Sequence, residues 1–202
     1  VKNFGVSESD FSDLPTDIDH TRYMFQGKVP GPLLSDKVSN LHGGNASFSY
    51  HISDLDPIKT SGGTVRIIDS TKFPAASTIA AGIVEIEPGG LREMHWHPHS
   101  QEWQYYIEGS GRMTVFASEH NARTFDFSSG DVGAVPFAYG HFIENTSDVK
   151  LRFLEVFRSA QFQDISLNQW MALVPAELVK QHLNLNNKVM ESLRKDKRPV
   201  VK

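Results

Sequence analysis

The stretch Gly89-Gly90-Leu91-Arg92-Glu93-Met94-His95-Trp96-His97-Pro98-His99-Ser100-Gln101-Glu102-Trp103-Gln104-Tyr105-Tyr106-Ile107-Glu108-Gly109 decides how the rest of the chain is read. In an extended strand successive side chains point to opposite faces, so His95 and His97 leave the same side about 7 Å apart while Trp96 leaves the other. Pro98 cannot donate to a sheet ladder, so it ends the strand and opens a short connection. That connection brings Glu102, at the start of the next strand, back toward the point on which the two imidazoles converge. A fourth group is expected from a second turn-then-strand unit, Gly130 to Asn145, which carries His141.

Imidazole nitrogens with one hard carboxylate and no sulfur suit a divalent ion such as Mn(II), Fe(II), Co(II) or Zn(II). Four protein ligands close a tetrahedral zinc site, whereas around an octahedral ion they leave two adjacent positions open for substrate and oxygen. His95, His97, Glu102 and His141 are therefore the expected metal ligands. His99 shares their parity in a simple count, but Pro98 interrupts that count. His20, His42, His51, His120 and His182 lie outside ligand-like spacing and read as surface or loop residues.

Two further side chains carry chemistry. In Leu151-Arg152-Phe153-Leu154-Glu155-Val156-Phe157 one face holds Leu151, Phe153, Glu155 and Phe157, which places a carboxylate among bulky apolar groups. Burial should raise its pKa and make Glu155 a proton donor or acceptor near neutral pH. The alternative is a buried ion pair with Arg66 or Arg92. Arg92 offers a planar donor fork for a carboxylate. It stands three residues before His95, so a regular strand aims it outward, and only a bulge or twist after Gly90 brings it in.

The first stretch resembles the first cupin motif, with Gly89, His95, His97, Glu102 and Gly109 in every fixed position. The second is similar to the second cupin motif through Gly130, Pro136, His141 and Asn145, with Ala138 where the pattern has Gly. Further stretches, residues 23–32, 63–73, 112–118 and 164–172, resemble the C-terminal half of the bicupin oxalate decarboxylases. The resemblance implies Mn(II) as the metal, O2 as redox co-catalyst, oxalate or another small carboxylate as substrate, and oxalate decarboxylation to formate and CO2. It also implies Arg92 on the far carboxylate, Glu155 as the acid that protonates the intermediate, the N-terminal cupin half as partner, and a homo-oligomer. The N-terminal halves of that family carry a mobile Ser-Glu-Asn-Ser lid, where this chain has Arg158-Ser159-Ala160-Gln161-Phe162-Gln163. A metal-stabilised half with little or no turnover, or an oxalate oxidase yielding CO2 and hydrogen peroxide, are the competing readings.

A chain of 202 residues with 39% hydrophobic content supplies one sizeable core with extensions, not two domains. A net charge of −4 gives no electrostatic reason to expect nucleic acid. The basic run Arg194, Lys195, Lys197, Arg198 and Lys202 reads as a solvated tail. Without cysteine there are neither disulfides nor thiolate ligands, and no apolar run reaches membrane-spanning length. The compartment is left open. The start without Met, on a linker-like segment, suggests half of a larger protein. Of the sequons at Asn45 and Asn145, Asn45 is the expected acceptor, because Asn145 closes a motif.

The chain divides into an extended N-terminal arm over residues 1–45, rich in Pro and Gly, a β-barrel over 46–158, and short helices with the basic tail over 159–202. Alternation at Phe48, Tyr50 and Ile52, then at Val65, Ile67 and Ile79 to Ile86, marks strands. Glu108 to Gly111 and Ser128 to Asp131 read as hairpin turns. Short strands without intervening helices indicate an all-β sandwich or barrel, which the resemblance narrows to the cupin double-stranded β-helix, a jelly roll. Ser166-Leu167-Asn168-Gln169 reads as a capping box opening one helix, Pro175 as the first turn of a second running through Leu183, and Asn186 or Asn187 as the cap of a third.

Overall fold

Alternating burial runs through most of the longer strands of the structure, a computed structural model that describes Ser9 and residues 47–202. The expected N-terminal arm and the sequon at Asn45 lie outside the described residues. In chain order the strands are β1 (Ile58–Thr60), β2 (Gly63–Ile68), β3 (Ala80–Ile86), β4 (Leu91–Trp96), β5 (Glu102–Glu108) and β6 (Ser110–Ser118). They continue with β7 (Asn121–Ser128), β8 (Val132–Val135), β9 (Gly140–Asn145), β10 (Leu151–Phe157), β11 (Ile165–Ser166) and β12 (Val200–Val201). Three helices, α1 (Leu167–Leu173), α2 (Ala176–Leu183) and α3 (Asn187–Ser192), lie between the last two strands.

The strands form two antiparallel sheets, β1-β2-β3-β10-β5-β8 and β11-β4-β9-β6-β7, with β12 also on β4. The architecture is that of the expected all-β jelly roll. On β3 residues 80, 82, 84 and 86 are buried, and on the paired β10 residues 151, 153, 155 and 157, so the inner faces of these strands meet the core in register. Val84, Ile86, Tyr106, Met113, Ile143, Leu151 and Phe153 fill the space between the sheets. The helices that follow are short, and no described helix is long and apolar enough to cross a membrane.

Both expected hairpin turns are corners between sheets. β5 pairs with β10 and β8, whereas β6 pairs with β7 and β9, so the turn at Gly109 carries the chain from one sheet to the other. The turn at Gly130 carries it back. Turn chemistry encodes a reversal of direction and not the choice of partner; both glycines have positive φ, 77° and 95°, and a Cβ on Gly109 would lie 2.6 Å from the carbonyl oxygen of Lys150. A hairpin within one sheet joins β6 to β7 through Glu119 and His120, with Glu119 at φ 52°, as another joins β1 to β2.

Two other expectations change. Residues 48 to 52 form no strand: Ile52–Asp54 is a 3-10 turn and Phe48 is 88% exposed. The Ser47 hydroxyl bonds locally to the Ser49 carbonyl at 2.8 Å, and Asp54, Asp56 and Pro57 follow before β1 begins, so local polar bonding outcompetes pairing there. The basic tail is not wholly solvated. Lys197 pairs with Asp164, and Val200 is fully buried against β4. The apolar Pro199-Val200-Val201 segment offsets the cost of ordering the run before it.

The helix caps differ in detail. The Ser166 hydroxyl accepts the Gln169 amide at 3.2 Å, a bond of the kind that contributes about 1 kcal/mol, but the Gln169 side chain donates to the Lys195 carbonyl at 2.9 Å instead of returning to Ser166. Pro175 is the cap of α2, one residue earlier than expected, and Asn186 caps α3 by accepting the Val189 amide.

Ala138 occupies the third position of a turn closed by the Tyr139 amide on the Pro136 carbonyl, with φ 61°. An L-residue there costs roughly 1–2 kcal/mol that glycine avoids, less about 0.4–1 kcal/mol of unfolded-state entropy. Ala138→Gly should therefore stabilise the protein by about 0.5 kcal/mol, a rise in Tm of roughly 1–2 °C in a thermal melt. A fall in Tm would show that the turn is not strained.

Candidate metal centre

Three strands bring the site together. β4 supplies His95, with His97 just past its end; β9 supplies His141 directly opposite His95 in the ladder; β5 supplies Glu102 from the other sheet. All four side chains are buried, and their ligand atoms lie within 4.8 Å of one another. His99 is exposed, and Trp96 turns to the opposite side, where its ring meets Trp170 of α1 at 5.9 Å.

The histidine tautomers follow from the hydrogen bonds. Nδ1 of His95 faces the Glu93 carbonyl at 2.7 Å, Nδ1 of His97 the Gln163 carbonyl at 2.9 Å, and Nδ1 of His141 the Tyr139 carbonyl at 3.1 Å. A carbonyl only accepts, so each Nδ1 carries the hydrogen and each Nε2 presents a lone pair. None of the three Nε2 atoms, nor Oε2 of Glu102, has a hydrogen-bond partner, yet Oε2 lies 3.0 Å from Nε2 of His97 and 2.9 Å from that of His141. Four acceptors crowded on one buried point fit a divalent cation.

Glu102 is oriented by a relay that parity alone could have revealed. Glu102, Gln104 and Tyr106 share the inner face of β5; Gln104 Nε2 donates to Glu102 Oε1 at 2.7 Å, and the Tyr106 hydroxyl donates to Gln104 Oε1 at 2.8 Å. Burial pushes the Glu102 pKa up, but His141 and His97 beside it, when they carry a proton on Nε2, bring the carboxyl well below its usual range. Burial, with the Arg92 charge and the other imidazoles, holds His95 well below its ordinary value, so it stays neutral and able to ligate.

Glu155 is 1% exposed, and neither of its oxygens has a hydrogen-bond partner. It forms no ion pair with Arg66, which donates to the Leu55 carbonyl, or with Arg92, which pairs with Asp164. Across β3, β10, β5 and β8 runs a row Gly82, Glu155, Gln104, Gly133. A Cβ on Gly82 would lie 2.5 Å from Glu155 Oε1, so the glycine makes the space the carboxyl fills. Burial raises the Glu155 pKa to about 7, with Arg92 opposing and the Glu102 charge assisting.

Arg92 reaches the inner face through a one-residue slip. It pairs with Ile143 and His95 with His141, three steps along β4 against two along β9, so the bulge puts both inside. Arg92 is 1% exposed; Nη2 donates to Asp164 at 2.9 Å, Nη1 to the Pro199 carbonyl at 3.2 Å, and Nε has no partner. The sequence reading missed Asp164, Lys197 and Pro199, whose contacts exist only once the tail has returned to β4. It also missed the aromatic wall, in which Phe157 and Phe162 pack at 4.5 and 5.6 Å from the His97 ring.

Comparison with known proteins places these features in context. The cupin family model matches residues 50–191. The chain is 47% identical over 201 residues to the oxalate decarboxylase OxdC of Bacillus subtilis, covering 99% of this chain and 51% of that protein. It is 38% identical over 207 residues to a probable oxalate decarboxylase of Arthroderma benhamiae, covering 100% of this chain and 50% of that one. A solved structure of the Bacillus subtilis oxalate decarboxylase, from work on its Mn(II) centres, superposes with a TM-score of 0.87 at 46% identity, over 100% of this chain and 53% of that one. The chain thus spans about half the length of the curated relatives it matches.

Two expectations test the site. His97→Ala should remove stoichiometric metal, measured by elemental analysis of purified protein; metal that survives both His97→Ala and His141→Ala would place the centre elsewhere. In metal-free protein the raised pKa of Glu155 means that folding favours its protonated form. That contribution is complete below about pH 4.5 and is lost as pH rises through about 7. Metal-free Glu155→Gln should then gain thermal stability over the parent on going from pH 5 to pH 8, by up to about 3 kcal/mol. A pH-independent difference would mean that Glu155 is not protonated inside the fold.

Proposed function

This chain belongs to the cupin family, and from that premise we propose that it is the C-terminal half of a Mn(II)-dependent bicupin that decarboxylates oxalate to formate and CO2. The observation that carries the reading is one buried site that combines a four-acceptor metal cluster with an unpartnered, protonatable carboxyl. In this reading His95, His97, Glu102 and His141 hold the ion. When bound, Mn(II) supplies Lewis-acid and one-electron chemistry, with O2 as redox co-catalyst.

The remaining tasks fall to the chain's own side chains. Arg92 holds the far carboxylate of oxalate through donors that its partners leave free, and its permanent charge orients the dianion. Glu155, whose pKa burial raises to about 7 in the metal-free protein, is the proton carrier of the site and delivers its proton to the carbon from which CO2 has departed. Phe157 and Phe162 shield the His97 side of the pocket from water, which strengthens each charge interaction inside it.

One observation favours a second reading, a metal-stabilised half with slow turnover. Residues 158–163 are tied down: the Arg158 amide donates to Ser100 Oγ, the Ala160 carbonyl accepts the Ser70 amide, the Phe162 amide donates to Asp69, and the Gln163 carbonyl holds His97. A segment so pinned is poorly suited to open and close as a lid.

Glu155→Gln keeps volume and hydrogen bonding but deletes the transferable proton. Metal should stay bound while formate production falls by about 10²-fold, the usual scale for a general acid, and the peroxide fraction should rise. Formate and peroxide measured in one assay decide the matter. Unchanged rate and product ratio in an active preparation would rule out Glu155 as the donor, and peroxide as the main product of the unsubstituted chain would make it an oxidase.

A further inference from the structure

Arg92 is held by groups that the reaction itself does not require. Asp164 accepts Nη2 of Arg92 on Oδ2 at 2.9 Å, while its other oxygen, Oδ1, is taken by Lys197 Nζ. Lys197 also donates to the Asp164 carbonyl at 3.3 Å. Two cations share one carboxylate, and that carboxylate is itself buried, with its side chain 6% exposed. The segment that delivers Lys197 is fixed in place. The Pro199 carbonyl accepts both Arg92 Nη1 at 3.2 Å and the Glu93 amide at 3.1 Å, Val200 stands opposite Arg92 in the β12–β4 ladder, and the Val200 carbonyl accepts the Thr60 hydroxyl.

We propose that Asp164 and Lys197 are positioning residues for the substrate: Asp164 anchors the guanidinium of Arg92, and Lys197 offsets the charge of Asp164 so that Arg92 stays electropositive toward a carboxylate ligand. The inference rests on reading the pocket as an oxalate site. A buried Arg–Asp pair alone is neutral at a distance and attracts an anion weakly, whereas adding Lys197 leaves the trio with a net positive charge. Neither of the other acids nearby forms an ion pair with the trio: Glu93 accepts the Ser166 hydroxyl at 2.6 Å, and the oxygens of Glu155 have no hydrogen-bond partner. Keeping Arg92 and Asp164 out of water, with Lys197 half-buried beside them, is costly compared with apolar packing of the same volume, so a cluster of this kind calls for a use. Its placement also makes the last turn of the chain, residues 197–201, part of the pocket's charge balance.

The test uses the Mn(II)-loaded 202-residue chain with Lys197→Met, Lys197→Arg and Asp164→Asn. Oxalate binding is measured by calorimetry without oxygen, manganese by elemental analysis, and KM and kcat by formate release. Lys197→Met should weaken oxalate binding and raise KM by about fivefold with manganese content and kcat within about twofold, because a uniform attraction has been lost. Lys197→Arg should restore both. Asp164→Asn, which frees the guanidinium to turn, should lower kcat/KM by about tenfold at unchanged manganese content. A merely structural role would lower Tm and the loaded fraction while leaving the oxalate affinity and KM of that fraction unchanged, and this outcome overturns the proposal. If Lys197→Met does not fold, failure of Lys197→Arg to bind oxalate as the parent does overturns it equally. An unsubstituted, loaded chain that binds no oxalate defeats the oxalate reading and this inference with it; a parent that binds oxalate no better than Lys197→Met defeats the inference alone.

Discussion

Four lone-pair acceptors aimed at one buried point repel one another, and the rest of the molecule has to hold them there. Each imidazole has its Nδ1 hydrogen tied to a backbone carbonyl, so the rings cannot turn Nε2 toward another donor. A buried polar atom without a partner costs about 1–3 kcal/mol, and Nε2 of His95, His97 and His141 and Oε2 of Glu102 all stand in that condition. A cation removes the cost and the repulsion together. Metal affinity and folding stability are then one coupled quantity, because the energy stored in the crowded acceptors is returned on binding.

The jelly roll suits this task because it supplies ligands from both walls of the core. His95, His97 and His141 belong to the β4–β9 sheet and Glu102 to the facing one, so the pocket is held by packing between the sheets as well as by hydrogen bonds along each ladder. Polar groups on the inner face need room as well as partners. The row Gly82, Glu155, Gln104, Gly133 answers that need by setting a glycine beside each of the two large polar side chains, where a Cβ would come within 2.5 Å of Glu155 and 2.9 Å of Gln104.

Local information carried much of this arrangement, and its limits are physical. Period-two alternation located the inward face of β10, and the His-Trp-His spacing with Pro98 foretold which rings converge. The need for a bulge to turn Arg92 inward was also readable, from the three-residue separation from His95. What turns could not reveal was strand partnership. Gly109 and Gly130 mark reversals whether the next strand lies beside the last or across the core, and only the global pairing of β10 with β3 and β5 distinguishes the two. Residues 48 to 52 show the same limit from the other side, since their alternation is genuine but no partner strand meets them among the described residues. Asp164 and Lys197 acquire their roles through contacts spanning 72 and 33 residues, beyond any local pattern. The apolar Val200-Val201 pair after the basic run was the one available sign that the tail returns to a sheet.

Glu102 and Glu155 are each 1% exposed in the same pocket, yet their surroundings divide them. Burial alone would push both carboxyls up, so what differs is the compensation each receives. Glu102 accepts the Gln104 amide on one oxygen and turns the other to the point shared with His97 and His141, where positive charge, on the imidazoles or on a bound cation, holds it ionised. Glu155 lies between Gly82 and Gln104 in the row and receives no hydrogen bond, and the negative charge of Glu102 adds to its reluctance to ionise. The sequence difference behind this is small: one carboxylate opens β5 beside the histidines, the other sits mid-strand on β10 opposite Gly82. A site that needs one carboxylate as a permanent ligand and another as a proton carrier can obtain both from the same residue type, because environment sets which state each adopts. The relay from Tyr106 through Gln104 fixes the ligand by directing one amide hydrogen to Glu102, whereas the oxygens of Glu155 receive no hydrogen bond that would stabilise its charge.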